Sequence, residues 1–157
     1  MKAVVYNEYA PDDNYAKILK VQDIDDPKPK ADEVVFTVKS AALNYNDIWG
    51  MRGNPVPVPL PHVSGSDAAG DVIAVGEDVT NIKVGDRVVS HSNMSCRVCK
   101  ACTDGREFDC VKRTIWGFQT GPTWGAFQEV THLPEVNVSK IPEGVSYDDA
   151  AAASMTL

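Results

Sequence analysis

The residues best suited to chemistry are four cysteines that lie close together in the sequence. They are the only cysteines among the 157 residues and follow the pattern Cys-x2-Cys-x2-Cys-x7-Cys. Thiolates spaced in this way in a loop can turn toward a common centre, and four sulfur donors suit a closed tetrahedral zinc site without an open coordination position. Such a site braces a loop and does no chemistry itself. The predicted zinc ligands are Cys96, Cys99, Cys102 and Cys110.

Two other uses of these cysteines are disfavoured. Disulfides would suit a secreted chain, but Asn7 and Glu8 interrupt the N-terminus before an apolar signal-peptide segment can form. In the bacterial ferredoxin pattern for iron–sulfur clusters the fourth cysteine follows a short gap and precedes proline, whereas Cys110 follows a gap of seven residues and precedes Val111. The spacing therefore favours one structural zinc ion, held in a lobe over residues 91–114.

Composition and charge limit the possible partners. The formal net charge is -7, and the 15 lysines and arginines are scattered rather than arranged in a stripe. Such an acidic chain lacks the electrostatic surface that nucleic acid requires. Its apolar runs are also far shorter than a membrane span. With reduced thiols, these features predict a cytoplasmic domain that binds neither nucleic acid nor membranes.

The elements that must position the cysteines are mainly short β-strands. Alternating apolar and polar residues between clusters of Gly, Pro and Asp indicate a mainly β fold, a partly open barrel with short helices. One helix is predicted over residues 44–52. Another begins at Ser146, where a capping box precedes the alanines at 150–153. The predicted strands cover residues 3–6, 18–21, 33–40, 70–75, 87–90, 126–131 and 136–140.

The second helix reaches the end of the sequence without a C-cap glycine. This predicts either a frayed terminal helix or a chain that continues into a further domain. In the second case we expect exposed apolar surface where the chain would meet that domain, which would favour self-association. The residues concerned are Ala151, Ala152, Met155 and Leu157.

Three stretches resemble a known family. They are the cysteine pattern, the segment from Val63 to Gly76, and Val84-Gly85-Asp86-Arg87-Val88. Together they resemble the N-terminal, GroES-like catalytic domain of medium-chain dehydrogenases/reductases, the zinc alcohol dehydrogenase superfamily. The resemblance covers almost the whole chain and implies a small-molecule substrate, a homo-oligomer, and a Rossmann domain after residue 157 that binds NADP(H). Residues 1–157 alone are then expected to be inactive.

The sequence is consistent with a cofactor domain elsewhere. It contains no Gly-x-Gly-x-x-Gly motif, the phosphate-binding turn of Rossmann domains. Gly65 and Gly70 are the nearest glycine pair, and neither leads into a phosphate-binding loop. We therefore interpret them as residues for turns and close backbone approach.

The departures from the family pattern concern its catalytic zinc. Members that use this metal carry Cys-x-x-Asp near the first helix and Gly-His-Glu at the start of the central strand. This chain has Asn44-Tyr45-Asn46-Asp47 and Gly65-Ser66-Asp67, and residues 150–157 contain no Cys, His, Asp or Glu. Amide and hydroxyl groups are poor replacements for thiolate and imidazole, so we expect no second zinc.

Without that metal, a different reaction is favoured. Alcohol oxidation requires a group that stabilises the alkoxide, which a Lewis-acid zinc ion provides by lowering the pKa of a bound oxygen. Hydride addition to an activated C=C bond needs only hydrogen-bond donors around an enolate oxygen. The sequence therefore predicts an NAD(P)H-dependent reductase of enoyl-CoA, enone or quinone substrates. The predicted catalytic residues are Asn44, Tyr45, Ser66 and Asp67.

A narrower resemblance points to the substrate pocket. Asn-x-x-Asp followed by Gly-Ser-Asp is similar to quinone oxidoreductases, and the segment from Ile115 to Thr120 resembles the crotonyl-CoA carboxylase/reductase branch. In that branch a Phe-Glu pair lines the pocket for CO₂ and the enoyl thioester. Because Gln119 replaces the glutamate here, we expect reduction without carboxylation. The predicted substrate-binding residues are Trp49, Phe118 and Gln119.

Each of these assignments has a structural alternative. Trp49, Trp116, Phe118 and Trp124 could simply pack in the core. Asn44 could cap the helix with Asp47, and Asp67 could pair with Arg52 instead of lining the cleft. The histidines at 62, 91 and 132 share no ligand spacing and are interpreted as surface or loop residues. A zinc-dependent alcohol dehydrogenase with unusual ligands and a non-enzymatic zinc-binding β domain remain the alternative functions.

Overall fold

The computed structural model describes residues 1–155, and its regular structure is mainly β. The described residues include nine strands, four short α-helices and two 3₁₀ turns. The strands are β1 (Lys2–Val5), β2 (Lys20–Asp23), β3 (Glu33–Ala42), β4 (Asp67–Val75), β5 (Arg87–Ser90), β6 (Asn93–Met94), β7 (Thr114–Ile115), β8 (Val130–Pro134) and β9 (Val138–Lys140). The helices are α1 (Tyr15–Ile18), α2 (Tyr45–Arg52), α3 (Lys100–Thr103) and α4 (Tyr147–Ala153).

A five-stranded antiparallel sheet in the order β8-β3-β4-β5-β9 forms the centre of the domain. Its long strands β3 and β4 pair from Val34↔Val75 to Ala42↔Asp67, with two register shifts that curl the sheet. Two smaller ladders, β1-β2 and β6-β7, flank it. The predicted mainly β, partly open barrel with short helices is confirmed. Within the described residues, no helix has the length and apolar character needed to cross a bilayer.

The core lies against the inner face of this sheet. Phe36 and Leu133 are fully buried, and so is the indole of Trp116, which enters from the segment after β7. The packing alternative for Trp116 is therefore confirmed. The buried members of this cluster are Val34, Phe36, Ala68, Val72, Ile82, Val88, Trp116, Ala126, Leu133 and Val138.

Gly70 allows the two central strands to approach closely. A Cβ at this position would lie 1.6 Å from the carbonyl oxygen of Thr37, so only glycine fits. Gly65 has a φ of 102°, a conformation that favours glycine, and turns the chain into β4. Both glycines serve the backbone roles that the sequence predicts.

Three strands begin later in the structure than the sequence predicts. The segment predicted as a strand over 18–21 begins in helix α1 and becomes extended only from Lys20. The strand predicted over 126–131 is shifted to Val130–Pro134, because residues 126–128 form a tight turn in which Gln128 N–H donates to the Ala126 carbonyl. The strand predicted over 136–140 starts at Val138 because residues 135–137 form a 3₁₀ turn. In each case a local turn replaces the extended conformation that the apolar pattern suggests.

The two predicted helix starts are confirmed. The side chain of Asn44 accepts a hydrogen bond from Tyr45 N–H, and Asp47 returns one by accepting from Asn44 N–H at 2.8 Å, which completes a capping box. At α4, the Ser146 hydroxyl oxygen accepts from Asp149 N–H at 3.0 Å. These caps fix the directions in which both helices leave their loops.

The apolar surface predicted at the end of α4 is smaller than expected. Ala151 is buried, because it packs against Ala69 and Ile141 inside the domain. Met155 is half-buried and Ala152 is exposed. The prediction for Leu157 lies outside the described residues.

Candidate functional site

A cluster of buried polar side chains forms where the N-terminus of α2 meets the start of β4. The capped helix start directs Asn44 and Asn46 toward the loop that the Gly65 turn brings alongside. Asn44 Nδ2 donates to Asp67 Oδ2 at 3.2 Å, and Asn46 Nδ2 donates to Ser66 Oγ at 2.7 Å. Ser66 and Asp67 are almost completely buried. The structure thus brings together three of the predicted catalytic residues, Asn44, Ser66 and Asp67.

Asp47 holds the two sides of this cluster together. One carboxylate oxygen accepts from Asn44 N–H at 2.8 Å and the other from Gly65 N–H at 3.0 Å. Burial raises the pKa of Asp47 to about 6, against the opposing effect of these two hydrogen bonds. The spacing from Asn44 predicts the first contact. The second joins residues that lie 18 positions apart and leaves no pattern in the sequence.

Asp67 lies on the inner side of the cluster. Burial raises its pKa, while hydrogen bonding from the Asn44 and Ser154 side chains and from Met155 N–H opposes that rise. The alternative in which Asp67 pairs with Arg52 is wrong. Arg52 lies at the far end of α2, where its guanidinium instead donates to Asp13 Oδ2 at 2.8 Å.

A pair of serines that the sequence analysis missed extends the cluster. Ser154, at the end of α4, donates to the Ser90 carbonyl at 2.7 Å, and the two hydroxyl oxygens lie 3.2 Å apart. Ser90 Oγ also accepts from Ala68 N–H at 3.0 Å, beside Asp67. Ser154 lies in the segment 150–157, where a third ligand of a catalytic zinc was sought. A search for any hydrogen-bonding group in that segment, instead of metal ligands alone, would have identified it.

The predicted aromatic residues contact one another beside α2: Tyr45 and Trp49 belong to this helix, and Phe118 packs against Trp49. The rings of Trp49 and Phe118 have centroids 6.4 Å apart, and Tyr45 meets Trp49 edge to face at 5.4 Å. Phe118 is buried in a cluster with Tyr6, whereas Tyr45 and Trp49 are exposed. The predicted catalytic residue Tyr45 is therefore presented at the surface and lies apart from the buried polar cluster.

Gln119 lies near this aromatic group but has a local partner. Its side-chain oxygen accepts a hydrogen bond from Ile115 N–H at 3.0 Å, which closes the turn after β7. The side chain is half-buried. The amide nitrogen, which makes no contact to Ile115, is the part of this predicted substrate-binding residue that could meet a ligand.

The prediction for the histidines is only partly correct. His62 is fully buried, with Nδ1 3.1 Å from the Pro59 carbonyl oxygen and Nε2 3.1 Å from the Gly117 carbonyl oxygen. Burial lowers the pKa of His62. His132 is half-buried on β8, whereas His91 is exposed as expected. Nothing in the local sequence indicates that the distant segment around Gly117 folds against His62.

The four cysteine sulfurs lie together in the lobe, all within 4.8 Å of one another. The Cys96 and Cys102 sulfurs are 3.9 Å apart, and the Cys99 and Cys102 sulfurs are 3.5 Å apart. A tetrahedral zinc ion with Zn–S bonds of about 2.3 Å requires sulfurs about 3.8 Å apart. The donor set therefore fits zinc.

The backbone around the sulfurs is arranged as a thiolate site requires. Cys99 N–H donates to Cys96 Sγ, and Cys96 N–H donates to Cys110 Sγ, both at 3.4 Å. Hydrogen bonds from Val98 and Cys99 N–H lower the pKa of the Cys96 thiol to about 6, whereas burial raises the pKa of Cys102 to about 11. A metal ion would compensate for the burial of Cys102, since coordination requires the thiolate.

The chain is similar to known proteins over most of its length. The family model of the alcohol dehydrogenase GroES-like domain matches residues 30–143. The chain is 33% identical over 145 residues to crotonyl-CoA carboxylase/reductase from Cereibacter sphaeroides, which covers 88% of this chain and 33% of that protein. It is 32% identical over 138 residues to L-threonine 3-dehydrogenase from Francisella philomiragia subsp. philomiragia, which covers 85% of this chain and 38% of that protein.

A solved structure extends the comparison to the whole domain. An NAD-dependent alcohol dehydrogenase superposes with a TM-score of 0.90 at 37% identity, covering 99% of this chain and 44% of that one. The chain thus spans about a third of the length of the two curated relatives and somewhat less than half of the solved one. It belongs to the alcohol dehydrogenase GroES-like domain family of the medium-chain dehydrogenases/reductases.

Proposed function

We propose that this domain is the catalytic half of a nicotinamide-dependent oxidoreductase that reduces an activated C=C bond by hydride transfer. The observation that carries the proposal is the polar cluster of half-buried Asn44 and Ser154 with buried Ser66, which offers amide and hydroxyl groups where relatives with a catalytic zinc place metal ligands. We further propose that NADP(H) binds to a Rossmann domain following residue 157. The complete protein is then a cytoplasmic homo-oligomer, and residues 1–157 alone are inactive.

Two hydrogen-bond donors of the polar cluster remain available for a substrate oxygen. Asn44 Nδ2 uses one N–H on Asp67 and retains the second. Ser66 Oγ accepts from Asn46, so its own O–H proton remains available. These two groups can stabilise the oxygen of an α,β-unsaturated carbonyl as negative charge develops there.

The reaction also requires that the substrate is oriented, that a hydride is delivered and that a proton is supplied. A bound nicotinamide would supply the hydride to the β-carbon of the substrate. Asp67, whose pKa burial raises, is the candidate donor of the proton that the α-carbon takes up. Trp49 and Phe118, whose ring centroids lie 6.4 Å apart, would contact the acyl part of the substrate. Gln119 would contact it through its amide nitrogen.

We assign the structural zinc to the cysteine lobe alone. The thiolates of all four cysteines would hold one zinc ion, which would cross-link the lobe without taking part in the reaction. The polar cluster is a poor site for a second zinc, because amide and hydroxyl oxygens bind this metal weakly compared with thiolate and imidazole.

A second candidate function is alcohol oxidation. The likeness to an NAD-dependent alcohol dehydrogenase and to L-threonine 3-dehydrogenase favours it. It would require a second metal ion per chain, because no other group in the cluster could stabilise an alkoxide as strongly. The number of zinc ions per chain therefore separates the two candidates.

The test uses the full-length protein. We expect NADPH to be consumed with crotonyl-CoA, 2-cyclohexenone or benzoquinone, and NAD⁺ to remain unreduced with ethanol or L-threonine. The zinc content should be one ion per chain. Turnover of alcohols alone, together with two zinc ions per chain, would overturn the proposal.

A variant pair tests the role of the cluster. Ser66→Ala removes a donor to the substrate oxygen and should lower kcat by roughly 10²–10³-fold. Ser139→Ala removes an exposed hydroxyl on β9 and should leave kcat unchanged. Equal activities of the two variants would remove Ser66 from the mechanism.

A further inference from the structure

The segment from Ile115 to Thr120, which carries Phe118 and Gln119, folds as a closed turn. Gln119 N–H donates to the Ile115 carbonyl at 2.8 Å, and the Gln119 side chain accepts from Ile115 N–H at 3.0 Å. Gly117 N–H donates to Thr120 Oγ1 at 2.9 Å. Because these bonds lie within the segment, they fix its internal shape. Contacts with other parts of the chain must set where its side chains lie in the domain.

His62 provides such a contact at the middle of the turn. Its Nε2 lies 3.1 Å from the Gly117 carbonyl oxygen, and within residues 1–155 no other hydrogen-bond partner reaches that oxygen. His62 is itself held in place by Tyr6. The backbone N–H of His62 donates to the Tyr6 carbonyl at 2.8 Å, Tyr6 N–H donates back at 3.0 Å, and the two ring centroids lie 5.3 Å apart. The buried imidazole is therefore a fixed point to which the turn is attached.

The attachment point lies beside the polar cluster. Gly117 has a φ of 73°, and a Cβ at this position would lie 1.8 Å from the Gly65 carbonyl oxygen, so the two backbones are in contact. Gly65 N–H in turn donates to Asp47 at 3.0 Å. A shift of Gly117 would consequently move the two residues that follow it, Phe118 and Gln119, relative to the cluster.

Only one of the two contacts of the His62 ring can be a hydrogen bond. Nδ1 lies 3.1 Å from the Pro59 carbonyl oxygen, and Nε2 lies at the same distance from that of Gly117. Burial lowers the pKa of His62, so the ring is neutral at pH 7 and has a single N–H. The Pro59 contact is partly exposed, so water can reach it, whereas the Gly117 contact is buried. Because a buried carbonyl without a donor is costly, the proton belongs on Nε2.

We propose that His62 is a positioning residue, whose Nε2–H bond to the Gly117 carbonyl fixes Phe118 and Gln119 relative to the polar cluster and so sets how tightly the acyl part of the substrate binds. The proposal rests on the proposed function, in which these two residues contact the substrate. Contacts to the acyl part are present before and during hydride transfer, so their loss raises KM and leaves kcat unchanged.

The position of the proton can be observed in the 157-residue chain. With ¹⁵N-labelled histidine at pH 8, ¹⁵N–¹H spectra should show a protonated Nε2 and a non-protonated Nδ1 for His62. The signals are assigned by their absence from His62→Gln. The exposed His91 is the internal reference, because it should exchange between both tautomers. A proton on Nδ1 of His62 would overturn the proposal, since the Gly117 carbonyl would then have no donor.

Two substitutions separate the roles of the two ring nitrogens. Glutamine carries its amide nitrogen on Cδ, as the ring carries Nε2, whereas asparagine carries it on Cγ, as the ring carries Nδ1. In the full-length enzyme, His62→Asn should raise KM about tenfold, whereas His62→Gln should keep it within about twofold of the wild type. We expect kcat to stay within about twofold in both. His91→Asn, at an exposed histidine, should change neither constant. Equal KM values for the two His62 variants would mean that His62 acts only through packing, which would overturn the proposal.

Backbone amide shifts distinguish a failure of this proposal from a failure of the proposed function. In the 157-residue chain, His62→Asn should move the amide resonances of Phe118 and Gln119 and leave those of β9 unchanged, whereas His62→Gln should leave both sets unchanged. Unmoved amides in His62→Asn would overturn the proposal. Moved amides with an unchanged KM would support the attachment by His62 and instead remove Phe118 and Gln119 from the substrate site. If His62→Asn gives no dispersed spectrum, the tautomer in the wild type decides.

Discussion

The cysteine lobe (residues 91–114) and the five-stranded sheet place their apolar side chains in opposite directions. In the sheet, Phe36 and Leu133 point inward and are fully buried. In the lobe, Val98, Phe108 and Val111 are 79%, 73% and 90% exposed. The buried side chains of the lobe include two of its four cysteines, Cys102 and Cys110. Burial of apolar surface therefore stabilises the sheet but contributes little to the lobe.

The regular structure of the lobe cannot compensate for the missing core. Helix α3 has only four residues, far fewer than an isolated helix needs to be stable in water. Arg97 has a φ of 60°, a left-handed conformation that is unfavourable for a residue with a Cβ. The two regions therefore differ in what can stabilise them: the sheet has its own apolar core, whereas for the lobe we propose a cross-link through zinc.

The largest expected effect is the loss of that cross-link. Cys110→Ser replaces a buried sulfur ligand, so the zinc content should fall from one ion per chain to near zero. Structural zinc sites contribute roughly 10–16 kcal/mol of apparent binding energy at neutral pH. Hydrogen exchange should therefore accelerate throughout residues 91–114 while β3 and β4 remain protected.

The control for this variant is Thr103→Ala, which changes an exposed side chain of the lobe and no sulfur. It should keep both the metal and the protection pattern. A metal-free lobe that remained protected in Cys110→Ser would show that contacts other than zinc hold it together.

The next effect concerns the sheet. Phe36→Ala should lower the free energy of unfolding by about 3–5 kcal/mol, because it leaves a cavity in the main core. Ile73→Ala, on the exposed face of β4, should lower it by less than about 1 kcal/mol. Urea unfolding measures both. Folded Phe36→Ala should still bind one zinc ion, and loss of zinc from the folded variant would contradict the independence of the two regions.

Local patterns explain why part of the molecule is predictable. The cysteine spacing predicts that the sulfurs converge, because the ligands lie within one short segment. The Asn44 and Asp47 spacing likewise predicts the capping box of α2, since every contact in it spans at most three residues. Strand positions follow from alternation, except where helix α1 and the turns at residues 126–128 and 135–137 interrupt it.

Contacts between distant residues are not predictable in this way. Ser90 and Ser154 are 64 positions apart, and His62 contacts a carbonyl 55 positions away. The sequence near these residues does not indicate the partner, because only the folded chain brings the two residues of each pair together. The cavity of about 420 Å³ beside α2 cannot be predicted for the same reason, because its lining residues come from five separate segments, represented by Val4, Leu19, Met51, Ser64 and Phe127.

A third prediction concerns the pH dependence of stability. Burial raises the pKa of Asp47 from 3.8 to about 6, so the folded chain binds more protons than the unfolded chain between these values. Stability must therefore fall as pH rises through this window, by up to about 3 kcal/mol for this group. Asp47→Asn cannot titrate. The free energy of unfolding of the wild type, minus that of the variant, should fall by most of this amount, roughly 2–2.5 kcal/mol, between pH 4 and pH 7.

The matched control for this experiment is Asp13→Asn. The hydrogen bond from Arg52 lowers the pKa of Asp13 to about 2, so its titration lies below pH 4. The free energy of unfolding of the wild type, minus that of Asp13→Asn, should stay nearly constant from pH 4 to pH 7. A flat profile for Asp47→Asn as well would mean that Asp47 is no harder to ionise in the folded chain than in the unfolded one.

The smallest effect is expected from an ion pair inside the lobe. Arg97 Nη1 donates to Glu107 Oε1 at 2.8 Å, and both side chains remain partly exposed to water. Glu107→Gln keeps the shape of the side chain and removes its charge, so it should change stability by less than about 1 kcal/mol. Zinc affinity, measured by competition with a chelator, should change less than twofold. Release of zinc from Glu107→Gln, as expected for Cys110→Ser, would contradict this prediction. It would mean that the four sulfurs alone cannot retain the metal and that the ion pair is also needed to hold the lobe.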